Sequence, residues 1–327
     1  MLEQPEMPTI LDVPPTTIAE RLLRLGTTLD ATVPARVVDR NLLVATWNLR
    51  AFGDLTEKWI SERADSPKRD LESLLAIREI ISRFDVVAIQ EVRGNIKALR
   101  HLLKVLGPHW GFLLTDVTLG KAGNDERMAF LFDTRRVKAS GLAGELVVPP
   151  EWIEAGDLDP SALTRQFCRT PYAVSFQAGT ETFILVTLHV LYGATSAERR
   201  SELGGIARWL ADWARREESW GHNLIALGDF NIDRADDANF AAFTSTGLQP
   251  PPQLNDVPRT IFASGRESFY DQIAWFTGTH GVPMLSLKYS GKAGCVDFVP
   301  IFAGAMTLQE LSWRLSDHYP LWVEFVF

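Results

Sequence analysis

Four apolar runs in this chain close on polar residues that a buried strand has no use for. "NLLVATWN" closes on Asn48, "FDVVAIQE" on Glu91, "TFILVTLH" on His189, and "NLIALGDFN" on Asp229 and Asn231. In two further runs the polar residue comes first: Asp271 opens "DQIAWF", and Asp317 with His318 opens "DHYPLWVEF". Short apolar runs bounded by turn residues read as strands buried on both faces. If the last two strands run antiparallel to the first four, their starts lie at the same rim as the other strands' ends. Six segments then deliver Asn48, Glu91, His189, Asp229, Asn231, Asp271, Asp317 and His318 to one mouth.

The remaining sequence supplies the frame. Strands are expected at 41–49, 84–92, 127–133, 172–177, 182–190, 223–231, 269–276 and 318–327. Apolar spacing predicts helices over 70–83, over 95–106 with Asn95 as N-cap, and over 196–218. Residues 246–258 read as a proline-rich loop. Strands this numerous exceed one small sheet. The pattern predicts an α/β protein, a four-layer α/β sandwich of two mainly antiparallel sheets packed face to face with helices outside. Residues 1–40 read as an N-terminal extension with one short helix, for which Thr17 and Glu20 form a capping box and which Pro34 closes off.

The chemistry of the mouth follows from its residue types. Carboxylates gathered at one rim repel and raise one another's pKa. Carboxylate and amide oxygens converging in this way suit a hard cation such as Mg²⁺, which needs only one or two carboxylates beside a substrate phosphate. Zinc would call for more than two histidines at the rim. Asp229, Asn231 and Asp233 match the opening of an EF-hand loop, but Arg234 stands at its glycine position and Phe240 at its bidentate glutamate, so a calcium loop is excluded. Neither a Gly-x-Ser-x-Gly elbow nor a P-loop is present, which weakens serine hydrolase and NTPase readings. The net charge of −8 speaks against a DNA-coating protein, yet it is compatible with a phosphoesterase whose cation supplies the local positive charge. The two cysteines, Cys168 and Cys295, make neither a disulfide framework nor a cysteine zinc site. The acidic, proline-broken start lacks a signal-peptide pattern, and apolar runs stay well short of the ~20 residues a membrane span needs. The expected location is cytoplasmic, and no protein partner is evident.

In order, "TWNLR", "IQEVR", "LHV", "GDFNID", "YDQI" and "SDHYP" resemble the motifs of the endonuclease/exonuclease/phosphatase superfamily, and within it the deoxyribonuclease I-like branch. The six span residues 48 to 318, which places one catalytic domain over 41–327. "NDERMAFLF" is similar to the segment whose glutamate orients the first histidine, here Glu126. "FCRTPYAVSF" is similar to one carrying a substrate-contacting arginine, here Arg169. Abasic-site endonucleases carry asparagine-glycine after the first motif; Arg50-Ala51 stands there instead. The resemblance implies two histidine–carboxylate dyads, Glu126–His189 and Asp271–His318, flanking the scissile phosphate. It further implies a metal held by Glu91 with help from Asn48 and Asp317, and Asp229 with Asn231 orienting the attacking water or a second cation. The implied ion is Mg²⁺, with Mn²⁺ or Ca²⁺ as alternatives.

The activity implied is hydrolysis of DNA phosphodiester bonds. Arg50 and Arg93, each two residues beyond a metal-site residue, favour a nucleic-acid substrate. The rival is a phosphatase or phosphodiesterase acting on a lipid, inositol or other small phosphoester. A catalytically dead binding module is disfavoured because the rim set is complete.

Overall fold

The computed structural model describes residues 7–118, 123–148, 167–193, 195–216, 223–263 and 267–327. Among the described residues, twelve strands form two six-stranded sheets. The first sheet contains β1 (Asn41–Phe52), β2 (Val86–Arg93), β3 (Trp110–Leu114), β4 (Glu126–Asp133), β11 (Lys288–Cys295) and β12 (Leu321–Val326), in the order β11-β12-β1-β2-β4-β3. The second contains β5 (Lys138–Glu145), β6 (Tyr172–Ala178), β7 (Glu181–His189), β8 (Leu224–Asp229), β9 (Leu248–Gln249) and β10 (Asp271–Phe276), in the order β5-β6-β7-β8-β10-β9. Each sheet has one parallel pair at its centre, β1 with β2 and β7 with β8, and is otherwise antiparallel. As the sequence predicts, β12 runs antiparallel to β1 and β10 antiparallel to β8.

Period-two alternation explains why the sheets stack. Leu42 and Val44 of β1 face Leu185, Ile225 and Phe176 of the other sheet in the central core. Leu43, Ala45 and Trp47, on the opposite face, join the layer built with α1 (Thr16–Thr32), α2 (Leu71–Ile81) and α3 (Lys97–Leu106). In the second sheet Ile184 and Val186 point outward to α4 (Ser196–Ala214) and α5 (Ala238–Thr244). Two short helices, α6 (Val299–Phe302) and α7 (Leu308–Arg314), lead into β12. The four expected layers are present.

The four strands absent from the sequence reading, β3, β5, β9 and β11, are the four sheet edges. Edge strands are half exposed. "KASGLAGE" and "KYSGKAGC" carry glycines and charge in place of an apolar run, so they give little periodic signal. The helices passed over, α5, α6 and α7, have only seven, four and seven residues.

Two helix starts differ from expectation. α1 begins at Thr16 after Pro15 with no side-chain cap, so the Thr17–Glu20 box does not form. α3 is capped at Ile96, and Asn95 instead accepts from the Lys97 N–H at 3.0 Å. α1 packs Leu25 and Leu29 into the same apolar layer as Leu74 and Ile77 of α2, and Arg21 pairs with buried Glu72 at 2.5 Å. The expected end of the 196–218 helix lies outside the described residues. Among the described residues no helix is long and apolar enough to cross a membrane.

Candidate active site

The rim is built where the two central parallel pairs end. Pairing between β1 and β2 shifts register between Asn48 and Phe52, and pairing between β2 and β4 shifts between Ile89 and Val92. Such bulges re-aim side chains at the end of a strand. Arg50, Ala51 and Glu91 all take left-handed backbone, with φ of 31°, 49° and 61°. That conformation is costly for residues with a Cβ and recurs at functional sites. In the second sheet, His189 pairs in register with Asp229 and Asp229 with Asp271, so three site residues stand side by side on neighbouring strands. Gly228 permits this. Its φ is 138°, and a Cβ there would lie 2.1 Å from the Leu188 carbonyl oxygen.

Two histidine–carboxylate pairs face each other across Asp229. His318 Nδ1 hydrogen-bonds Asp271 Oδ2 at 2.6 Å, and His189 Nδ1 lies 3.1 Å from Glu126 Oε2. The opposite nitrogens converge: His189 Nε2 is 3.8 Å and His318 Nε2 4.0 Å from the same oxygen, Asp229 Oδ2. Burial alone would lower the His318 pKa, but Asp271, Asp229 and Asp317 outweigh it and raise it. Burial lifts the Asp271 carboxyl against the pull of His318.

Glu91 sits beside this group. Its two oxygens accept from the Asn48 amide at 3.0 Å and from the Ala51 N–H at 2.8 Å. The same Asn48 amide donates to Asp229 Oδ2 at 3.0 Å and so ties the two sheets together. Burial pushes the Glu91 pKa up, but His189, the Ala51 N–H, Asn48 and His318 prevail, so the carboxyl titrates below its ordinary range and stays ionised. Asn231 donates to the Val190 carbonyl at 2.7 Å, and its backbone N–H caps Asp229 Oδ1 at 3.0 Å.

The donor set fits a divalent cation. Among the described residues, Asp229, Asp271 and His318 offer ligand atoms within 4.8 Å of one another. Asp271 Oδ1 is buried with no hydrogen-bond partner, and ionised Glu91 adjoins through Asn48. Asp317 joins the rim with its Oδ2 held by Arg50 at 2.8 Å, and burial raises its pKa.

None of the three arginines hangs free. Arg50 bonds Ser312 and Asp317 and stacks on exposed Trp313 at 3.9 Å. Arg93 reaches Glu126 at 3.4 Å and Glu91 at 3.9 Å, and donates to the Asn124 carbonyl. Arg169 is buried, 2.8 Å from Glu126. Each therefore neutralises a rim carboxylate.

Several supports escape a sequence reading. Buried Arg69 donates to the carbonyls of Leu49, Arg50, Ala51, Arg314 and Leu315, binding the Asn48 end of β1 to the Asp317 loop. Ser316 donates to the Asn48 carbonyl at 2.5 Å. Gln90 reaches across the sandwich to Thr187 at 2.9 Å. Arg259 donates to the Asp271 carbonyl at 3.1 Å. Glu202 of α4 accepts from the Cys168 and Leu191 N–H groups. Arg69 and Arg259 lie in polar stretches where an arginine reads as surface, whereas Ser316, inside "SDHYP", and Gln90, inside "IQEVR", carried a signal.

A profile of the Endonuclease/Exonuclease/phosphatase family matches residues 45–318. The chain belongs to that family, whose members are phosphoester hydrolases and generally depend on a divalent metal. It is 28% identical over 300 residues to a deoxyribonuclease of Thioalkalivibrio sp. (strain K90mix), covering 87% of this chain and 71% of that protein. It is 24% identical over 293 residues to deoxyribonuclease-1 of Bos taurus, covering 86% of this chain and 91% of that protein. Among solved structures, the mannosyl-6-phosphatase Bt3783 of Bacteroides thetaiotaomicron VPI-5482 shares the fold with a TM-score of 0.54 at 17% identity, over 88% of this chain and 100% of the other.

Proposed function

We propose that this protein is a metal-dependent, deoxyribonuclease I-like endonuclease that hydrolyses DNA phosphodiester bonds by histidine–carboxylate acid/base catalysis. The observation that carries the reading is the convergence of two imidazole Nε2 atoms on one carboxylate oxygen, with a carboxylate beside each Nδ1: hydrogen-bonded at 2.6 Å for His318, and 3.1 Å away without a hydrogen bond for His189. A carboxylate on Nδ1 fixes the tautomer, so that Nε2 is the nitrogen that exchanges a proton with the substrate. One histidine takes a proton from the attacking water as the other delivers one to the leaving oxygen. Asp229 and Asn231 orient the water. Glu91, with Asn48 and Asp317, would hold the cation, Mg²⁺ by donor type with Mn²⁺ or Ca²⁺ as substitutes. When bound, the cation neutralises charge developing on the phosphate. Arg50, Arg93 and Arg169 contact the substrate's phosphates. The two deoxyribonuclease relatives support DNA as the substrate.

One observation favours a second reading. Arg50 and Arg93 are both engaged by site carboxylates and the chain carries a net charge of −8, which weakens a grip on a polyanion. A hydrolase of a lipid, inositol or other small phosphoester would suffer less from that. Incubation with plasmid DNA, RNA and bis(4-nitrophenyl) phosphate, each with Mg²⁺ and with chelator, separates the two. Nicking of plasmid that stops on chelation is expected. Turnover of the small diester with intact plasmid would overturn the nuclease reading.

A further inference from the structure

The first turns of α4 lie directly behind the His189 side of the site. Arg199 and Glu202 are three residues apart, hence on one face of the helix, and both are at most 5% exposed. Glu202 Oε2 accepts from the Leu191 N–H at 3.1 Å, two residues after His189. Glu202 Oε1 accepts from the Cys168 N–H at 3.2 Å, one residue before Arg169. Arg199 donates to the Tyr192 carbonyl at 2.7 Å and pairs with Asp233, two residues after Asn231. One helix face thus grips three segments, those carrying His189, Arg169 and Asn231.

A buried carboxylate is an expensive way to fill a helix–sheet interface, because an apolar side chain would pack there without desolvating a charge. A carboxylate does what an apolar group cannot, since it accepts from two backbone N–H groups of separate segments at once. Burial pushes the Glu202 pKa up to about 7, against the pull of those two N–H groups, Arg169 and His189.

We propose that Glu202 is a positioning residue for the His189 dyad, setting the register between the loop that follows His189 and the segment that carries Arg169. It touches neither substrate nor metal. It acts through the backbone, so that the imidazole of His189 and the guanidinium of Arg169 meet on Glu126. The inference rests on the reading of His189 as a catalytic group.

The test uses Glu202→Gln, which keeps the shape but turns one acceptor into a donor facing an N–H. Glu202→Asp, which keeps the charge and shortens the reach, is the second variant. Turnover of bis(4-nitrophenyl) phosphate is measured beside imidazole ¹⁵N NMR, with His189→Ala and His318→Ala assigning the resonances. Small displacements of catalytic groups cost up to about 10²-fold. A loss in kcat of about 10- to 100-fold is therefore expected in Glu202→Gln, with a smaller loss in Glu202→Asp. The His189 resonances should move while those of His318, on the other dyad, stay in place. Either folded variant turning over at the wild-type rate with His189 unmoved would overturn the proposal, and so would equal displacement of both histidines. If His189→Ala itself retains full activity, the catalytic reading fails instead, and the NMR comparison still decides whether Glu202 positions His189.

Discussion

The two dyads look alike in a list of residues and differ in construction. His318–Asp271 is a closed pair: a 2.6 Å bond, with Arg259 behind it donating to the Asp271 carbonyl. His189–Glu126 is an open cluster: the carboxylate lies 3.1 Å from the histidine, 2.8 Å from Arg169 and 3.4 Å from Arg93. The buried groups behind them differ in kind, a guanidinium, Arg259, behind Asp271 and a titrating carboxyl, Glu202, near Arg169. Asp271 serves one histidine. Glu126 faces a histidine and two arginines that we assign to substrate, so on the proposed mechanism acid/base chemistry and substrate grip would be coupled on that side.

The largest expected effect asks whether the two halves make one site. Glu91 is held ionised by both His189 and His318 and reaches Asp229 through Asn48. Glu91→Gln keeps the shape and removes the charge. Activity should fall on the order of 10³-fold, with the melting transition retained. Near wild-type turnover at ordinary Mg²⁺ would show that the cation is held elsewhere, for which the Asp229–Asp271–His318 group is the obvious place.

How the halves differ was only partly legible in the sequence. Both histidines, Asp229, Asp271 and Glu91 were readable because strand ends advertise them: a polar residue closing or opening an apolar run is out of place. Glu126 and Arg169 came from resemblance alone, since Glu126 opens its strand amid other charges. Glu202 was invisible, because "SAERRSELGG" reads as a solvated helix start until the fold shows Arg199 and Glu202 buried. The two sheets followed from their central strands. Their edges did not, because an edge strand has no apolar alternation to show. Contacts made through backbone carbonyls, as by Arg69, leave no side-chain pattern at all.

Next in size come the dyads themselves. Alanine at either histidine should cost on the order of 10²-fold in kcat. Double-mutant cycles then separate the constructions. Asp271→Asn should be nearly silent once His318 is alanine, since partners acting as a unit are non-additive. Glu126→Gln should lose most of its effect on kcat once His189 is alanine, yet keep an effect on KM because Arg169 and Arg93 are still released. Equal coupling in both cycles would erase the distinction between closed pair and open cluster. Simple addition in both would show the pairings to be wrong.

The charge behind the open cluster carries its own pH signature. The Glu202 pKa is raised from 4.5 to about 7 in the folded chain, so between those values the native state keeps a proton that the unfolded chain has released. Stability therefore falls as pH rises through that window. The penalty is absent below it and complete above it. Glu202→Gln does not titrate. Relative to that variant, the wild type should lose on the order of 2 to 3 kcal/mol between pH 4.5 and 8, read from denaturant midpoints. A wild-type-minus-variant difference that is flat across the window would mean that Glu202 is ionised throughout and that the cluster carries a standing negative charge.

The smallest effect belongs to the arginines, one on each side. Arg50 lies beside the His318 loop, bonded to Asp317 and stacked on Trp313; Arg93 lies beside Glu126. Their side chains are 23% and 29% exposed, so each can meet a phosphate while still neutralising its carboxylate. Removing either should disturb the local charge balance for every substrate, a loss common to DNA and to bis(4-nitrophenyl) phosphate. A polymer alone extends past the reacting phosphate, so it alone loses a second contact. Each phosphate contact removed lowers the salt slope of binding by about 1. A base-edge contact would instead cost about 1–3 kcal/mol and change sequence preference. Arg50→Ala with Arg93→Ala should therefore impair cleavage of duplex DNA more than hydrolysis of the small diester, measured at several salt concentrations with metal saturating. Arg50→Lys sharpens the assignment, because lysine keeps the charge but loses the planar stack on Trp313 and the forked contact. If the lysine variant matches wild type on DNA, Arg50 acts as a point charge. If both substrates suffer equally from the double change, the arginines serve the site carboxylates alone, and the small-phosphoester reading gains.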